Sequence, residues 1–227
     1  REGGFRVYLV QEHIAGKNLA ELVREERAFT EPETLRIGIG VCEILKYLHG
    51  FSPPFIHRDI KPSNVMRTPD QKIFLIDFGA VRDKMLRDQE AGGGGSTFVG
   101  TYGYIPYEQY ASRALPASDI YSLGMTLIHL LSRKEPADME TAGMRVVFRS
   151  HVNISMSFAS VLEKMIEPDW QKRYQTADEV QAALEDVLAG RPVPSSAEAP
   201  FRRSRALAAA LLLLGLSAAF LLGRGFT

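Results

Sequence analysis

The sequence predicts an α+β fold, a little strand followed by much helix, with a single membrane-spanning helix after it. Three observations lead there. Short β-branched and aromatic runs are confined to the first third of the chain, and longer stretches beyond them carry apolar residues at helical spacing. Near the end, Ala206–Leu222 is a run of 17 uncharged residues rich in Leu and Ala.

Taken in order, Phe5–Val10 (FRVYLV) follows Gly3-Gly4 and reads as a strand after a turn. Gln11–Asn18 is a polar connector, and Leu19–Arg27 is a short helix. Thr30, with Glu33 three residues on, is a capping box that opens a helix running to about His49. Leu35, Ile39, Cys42, Leu45 and Leu48 recur along it at three- and four-residue steps and define one buried face. Ser52-Pro53-Pro54 ends the helix. Two strand-like runs follow, Asn64–Arg67 and Ile73–Ile76, and then a polar stretch, Asp83–Thr97, whose glycines 92–95 predict a mobile loop. Ile120–Leu131 is nearly all apolar but too short to cross a bilayer, so it reads as a core helix. Helices are also expected at Phe158–Ile166 and at Ala177–Leu188, the latter behind a Thr176/Glu179 capping box.

The last part of the chain changes character. Residues 190–205 form a Pro/Ser/Ala-rich linker with a basic end, residues 206–222 the membrane span, and residues 223–227 a short tail. At 1.5 Å per residue the span reaches roughly 25 Å, the short end of the transmembrane range. Arg202, Arg203 and Arg205 precede it and Arg224 follows, which places the preceding domain on the cytoplasmic side of the cell membrane, in a single-pass arrangement.

Bulk properties exclude more than they assign. Lys+Arg and Asp+Glu are balanced at 27 each, so no excess charge points to nucleic acid. Cys42 is the sole cysteine, which rules out an intramolecular disulfide or a cysteine metal cluster, and its place in an apolar helix makes it a core residue. His49, His129 and His151 lack metal-ligand spacing, and Trp170 reads as a core anchor.

The chemistry concentrates in His57-Arg58-Asp59-Ile60-Lys61-Pro62-Ser63-Asn64. Phosphoryl transfer to a hydroxyl needs a carboxylate to accept its proton, a cation beside the transferred group and oxygen ligands for Mg2+. Asp59, Lys61 and Asn64 are the right types at the right offsets. Asp77-Phe78-Gly79 follows an apolar run thirteen residues after Asn64. Either tripeptide alone is a weak signal. Together, in this order, they match the H-R-D-x-K-x-x-N and D-F-G motifs of protein kinases.

On these residues the chain resembles a bacterial Ser/Thr protein kinase of eukaryotic type, from about Phe5 to Leu188. The resemblance implies a protein-kinase-like fold, residues 1–189 forming a hinge strand and a mostly helical C-lobe. It implies ATP and Mg2+ as cofactors and Ser/Thr-bearing proteins as substrates. Asp59, Lys61 and Thr101 would be catalytic, and Asn64 and Asp77 would bind metal. Glu12 and Ile14 fall on the adenine-binding hinge, Gln11 at the gatekeeper position, Met66 on the floor under the ring, and Asn18 within reach of the ribose. His57, Arg58, Phe78 and Gly79 would be structural. Gly100–Glu108 resembles the end of the activation segment, although Pro106-Tyr107-Glu108 alters the usual Ala-Pro-Glu order. Glu108 would pair with Arg173, and Asp119 would either hold the catalytic-loop backbone, cap its helix, or do both. Arg58 implies control by phosphorylation of the activation loop, with Ser96 and Thr97 as candidate sites and self-association as the route to autophosphorylation.

The resemblance begins at the hinge. A glycine-rich loop, a strand lysine and its helix glutamate normally lie upstream in this family. Their absence reads as a small N-lobe largely missing through truncation, which would leave the fragment itself inactive. Two other classes compete. A catalytically dead scaffold commonly loses an aspartate of the kind retained here at Asp59 and Asp77. A small-molecule phosphotransferase would share the catalytic loop but not the Gly100–Glu108 and Asp119–Gly124 segments.

Overall fold

A computed structural model of the chain describes residues 12–25, 29–77 and 100–192. Several expectations lie outside these residues: the Phe5–Val10 strand, Gln11, Phe78, Gly79, the 83–97 loop, Ser96, Thr97 and the Ala206–Leu222 span. Among the described residues no helix is long and apolar enough to cross a membrane.

The chain enters through β1 (Lys17–Asn18) and turns at once into α1 (Leu19–Arg24). Asn18 explains the abruptness. Its Oδ1 accepts from the Glu21 N–H at 2.8 Å, while Glu21 Oε2 accepts from the Asn18 N–H at 2.9 Å, a reciprocal cap. The long helix α2 (Glu31–His49) opens on the Thr30/Glu33 capping box. Its buried face holds Leu35, Cys42, Leu45 and Leu48 together with Ile37, Gly38 and Val41, whereas Ile39 is only half-buried. The stripe is wider than one face because α2 is covered on several sides. Burial pushes the Cys42 thiol up to about 12, which leaves it an inert core residue.

β2 (Val65–Arg67) lies at the centre of a three-stranded antiparallel sheet, between β1 and β3 (Ile73–Leu75). The register sets Asn18 opposite Met66, and Met66 opposite Phe74. The short helix α3 (Tyr107–Tyr110) leads to α4 (Pro116–Ser132), which starts with a proline at its first position, where no N–H is needed. Helix α4 is buried on nearly every side, as its continuous apolar composition requires. After it a two-stranded hairpin, β4 (Thr141–Ala142) with β5 (Arg145–Val146), turns through Gly143 at φ +66°. No periodicity in the sequence announces so short a hairpin.

Helices α5 (Met156–Met165) and α6 (Ala177–Leu188) complete the helical core, packing on each other and on α2 and α4. A β-carbon on Gly38 would sit 2.9 Å from Leu184 Cδ1 and 3.1 Å from Leu127 Cδ1, so glycine sets how closely α2 approaches its neighbours. Leu127 and Leu184 are wholly buried, each worth roughly 1.5–3 kcal/mol relative to exposure. The α6 cap is only half of the expected box. Thr176 Oγ1 accepts from the Glu179 N–H at 3.2 Å, but Glu179 Oε2 turns to the Gln175 N–H at 2.8 Å. Trp170 is not a core anchor. It occupies a surface 3-10 turn, Trp170–Lys172, and is 38% exposed, because the turn points Arg173 and Tyr174 inward instead; its carbonyl receives Gln175 Nε2 and the Arg173 N–H.

The anchor of that segment is Arg173, whose side chain is fully buried. Its Nη1 and Nη2 donate to Glu108 Oε1 and Oε2 at 2.6 and 3.1 Å. The remaining donors reach the carbonyls of Ala117, Pro168 and Glu167. Ser118 Oγ donates to Glu108 Oε1 at 2.8 Å and accepts from the Leu115 N–H at 3.2 Å. The pair thereby ties α3, the start of α4 and the turn before α6. Beside it, the Tyr104 phenol contacts His129 Nδ1 and donates to Glu135 Oε2 at 3.2 Å. Burial pushes the His129 imidazole below its usual value, with the Glu135 carboxylate opposing.

Removal of the Glu108 carboxylate strands a buried guanidinium, so Glu108→Ala should destabilise the domain by about 3–5 kcal/mol, read by denaturant unfolding. A pH effect follows from His129. Its folded pKa is depressed, so the unfolded chain takes up the proton first, and stability present at neutral pH is lost as pH falls through the range below about 6.5. His129→Gln should therefore flatten the fall of the thermal midpoint between pH 7 and pH 5. A pH profile as steep as that of the unmodified chain would remove His129 from the account.

Candidate active site

The loop from His57 to Asn64 lies between α2 and β2, and its backbone is held from below by α4. Asp119, in the first turn of α4, is wholly buried. Its Oδ2 accepts from the His57 N–H and its Oδ1 from the Arg58 N–H, both at 2.9 Å. His49 Nε2, at the last residue of α2, lies 2.9 Å from Oδ2. Asp119 is therefore no helix cap, since the capping position belongs to Leu115, four residues earlier. About two turns further along the same face, Thr126 Oγ1 donates to the Ile60 carbonyl at 3.3 Å and to the Ser122 carbonyl at 2.8 Å. The same face of α4 thus supports the loop on both sides of Asp59.

His57 is buried beneath the loop, and its Nδ1 accepts from the Asp59 N–H at 3.4 Å. Burial pushes its imidazole below the usual range, against the opposing carboxylates of Asp119 and Asp59. A neutral ring that accepts at Nδ1 is the form consistent with that bond.

Arg58 adopts φ 70°, a left-handed conformation uncommon for a residue with a side chain and costing of order 1–3 kcal/mol. It persists because both of its peptide groups are held. Its N–H goes to Asp119, and its carbonyl accepts from Gln109 Nε2 at 2.6 Å. Asp77 is in the same region at φ 60°.

The turn at Arg58 presents Asp59 to a set of converging donors. Thr101 Oγ1 donates to Asp59 Oδ1 at 2.9 Å. Lys61 Nζ lies 2.8 Å from Oδ2 and 2.6 Å from Thr101 Oγ1. Asn64 Nδ2 donates to Asp59 Oδ2 at 3.0 Å and to its carbonyl at 2.8 Å. Asp59 and Lys61 are therefore met by Thr101 from a segment some forty residues on. Because Asn64 spends its amide nitrogen on Asp59, its Oδ1 is turned to the other side, where Ser63 Oγ reaches it at 3.5 Å. The Ile76 N–H donates to the Asn64 carbonyl at 2.9 Å, which brings the exposed Asp77 within one residue of Asn64. An amide oxygen and a carboxylate are hard oxygen donors, the kind Mg2+ takes in small number while keeping water and phosphate oxygens.

The other expected site residues lie along the sheet. Glu12 is exposed and Ile14 half-buried on the stretch leading into β1. Asn18 and half-buried Met66 are cross-strand neighbours. Three supporting residues escaped the sequence reading: His49, Gln109 and Thr126. Thr126 had a signal, since Asp119, Ser122 and Thr126 form a polar stripe along an otherwise apolar helix. His49 follows Leu45 by four residues on the buried face of α2. Gln109 had none.

Comparison with known proteins identifies the family. Residues 3–189 match the family described as protein kinase domain. Serine/threonine-protein kinase B of Synechocystis is 40% identical over 192 residues, which cover 81% of this chain and 33% of that protein. Serine/threonine-protein kinase PknA of Nostoc is 39% identical over 184 residues, covering 78% and 32%. Serine/threonine-protein kinase F of Synechocystis is 37% identical over 180 residues, covering 78% and 36%. The chain thus spans about a third of the length of these curated relatives. With a family-model match over residues 3–189, most of its length, the chain belongs to the protein kinase domain family.

Proposed function

We propose that this chain supplies the catalytic lobe of an ATP-dependent serine/threonine protein kinase in bacterial signalling. The observation that carries the reading is the convergence of Thr101, Lys61 and Asn64 on the Asp59 carboxylate. A substrate serine or threonine hydroxyl placed at Asp59 gives up its proton to that carboxylate as its oxygen attacks the γ-phosphorus of ATP, and the bond from that phosphorus to the β,γ-bridging oxygen breaks to release ADP. Lys61 sets a cation beside the transferred group, and Thr101 fixes the carboxylate orientation from the substrate side. Asn64 Oδ1 and the Asp77 carboxylate would hold Mg2+, which when bound neutralises the charge on the phosphates. The adenine would rest against Met66 beside the 12–14 stretch, with Asn18 offering its amide nitrogen to the ribose, since its oxygen serves the α1 cap.

The family's phosphate-covering loop, its lysine and the paired glutamate precede the hinge, so phosphotransfer is to be measured on a protein that carries them. The domain limits follow the same reading: kinase to 189, linker to 205, span 206–222 and tail to 227. Arg58 would receive a phosphate carried by Ser96 or Thr97, with self-association delivering it in trans. The apolar run and the arginines, three before and one after it, support anchoring in the cell membrane with the kinase lobe on the cytoplasmic side.

Asp59→Asn should lower kcat on a generic protein substrate by about 10²–10⁴-fold, the usual worth of a positioned general base. Asp77→Asn should lose a comparable share through weakened Mg2+ binding, partly restored by raising Mg2+. Neither should move the thermal midpoint by more than a few degrees. Near-normal turnover by the Asp59 variant would contradict the mechanism. Membrane topology is read separately: a cytoplasm-dependent reporter placed before Arg202 and a periplasm-dependent reporter after Thr227 should both be active. A silent second reporter would withdraw the anchoring.

A further inference from the structure

Gln109 does more than fill space below the activation-segment end, and we infer that it is a positioning residue for Asp59, acting through the Arg58 carbonyl. The inference rests on the kinase reading above and deepens it. Four observations support it. Gln109 sits in α3 and is 7% exposed, so its amide is committed to the interior. Its Nε2 donates to the Arg58 carbonyl at 2.6 Å, across 51 residues of sequence. That carbonyl belongs to the peptide that joins Arg58 to Asp59, and Arg58 is the residue held at φ 70°. The rotation of that peptide decides where the Asp59 carboxylate points.

The fourth observation lies on the other side of the amide. A β-carbon on Gly100 would stand 3.0 Å from Gln109 Nε2 and 2.5 Å from Ile105 Cδ1, with Gly100 at φ +128°. The glutamine amide therefore fits between the backbone of Gly100 and that of Arg58. Thr101, the next residue, makes the second link, to Asp59 Oδ1 and to Lys61. The activation-segment end thus grips the catalytic loop twice, once on the carboxylate itself and once on the peptide before it. Asp119 holds the N–H of Arg58 and Gln109 its carbonyl, so the left-handed turn is fixed from both faces. Without the Gln109 hydrogen bond, that turn relaxes toward ordinary backbone and the carboxylate swings from the attacking hydroxyl. Small misplacements of this kind cost up to about 100-fold in rate.

The test is Gln109→Met in the full-length protein, which keeps the volume and removes the donor. The expected result is a kcat lower by about 10- to 100-fold, with KM for ATP within two-fold and a thermal midpoint within a few degrees of the unmodified enzyme. A residue that only packs would lower the midpoint and leave kcat intact at temperatures well below it. Thr101→Val supplies the partner for a double-mutant cycle. Since both hydrogen bonds act on one carboxylate, the double variant should lose clearly less than the product of the two single losses. Gln109→Glu retains the amide's shape but sets a carboxylate oxygen against the Arg58 carbonyl, so it is measured alongside and stands in if the Met variant does not fold; its kcat should fall at least as far. A folded Met or Glu variant with kcat within two-fold of the unmodified enzyme overturns the inference while the kinase reading stands. An unmodified enzyme without phosphotransfer overturns both.

Discussion

The buried carboxylate of Asp119 organises the rest of this domain. It is wholly shielded from water, and a charge in that setting persists only when its oxygens are fully engaged. Its three partners come from two parts of the chain: His49 at the end of α2, and two successive peptide N–H groups of the loop, those of His57 and Arg58. These donors tie the loop backbone and the end of α2 to one carboxylate, which sets how the loop sits on α4. The apolar packing of α2, α4 and α6 supplies the free energy, but it is indifferent to the path of a polar loop. The carboxylate makes that choice.

The conformation imposed on Arg58 follows from it. A side-chain-bearing residue in the left-handed region is strained, and that strain is retained where the chain is held on both sides. The turn lifts Asp59 out of the loop and into the reach of Lys61, Asn64 and Thr101. The position of Thr101 depends in turn on the segment end beyond it, which the Glu108–Arg173 pair fastens to the helical core. Two buried ionic centres thus hold the two halves of the site. One fixes the loop that carries Asp59, and the other fixes the segment whose Thr101 bonds to it.

Local chemistry accounts for what could be read in advance. Capping at Thr30 and Thr176, the apolar period of α2 and the continuous apolar run of α4 are written in residues close in sequence, and the helices follow them. The chemical types at Asp59, Lys61, Asn64 and Asp77 were legible for the same reason, since phosphoryl transfer demands a carboxylate, a cation and oxygen ligands at short spacing. Trp170 marks where that reasoning misled: size and apolarity argued for the core, but burial depends on which surface a turn presents, and here Arg173 and Tyr174 turn inward in its place.

By itself, then, the sequence determined the longer helices and the strand pair around residues 65–75, and it singled out the candidate reactive groups, because each is governed by interactions spanning a few residues. Tertiary structure alone decided that Asp119 serves the loop backbone rather than its own helix end, that His49 and Thr126 stand beside it, and that Gln109 reaches Arg58. Those hydrogen bonds join residues 51 to 70 positions apart. A hydrogen bond is specific only within about 3 Å and a favourable angle, and no periodicity along the chain records which distant backbone group will be brought to that distance.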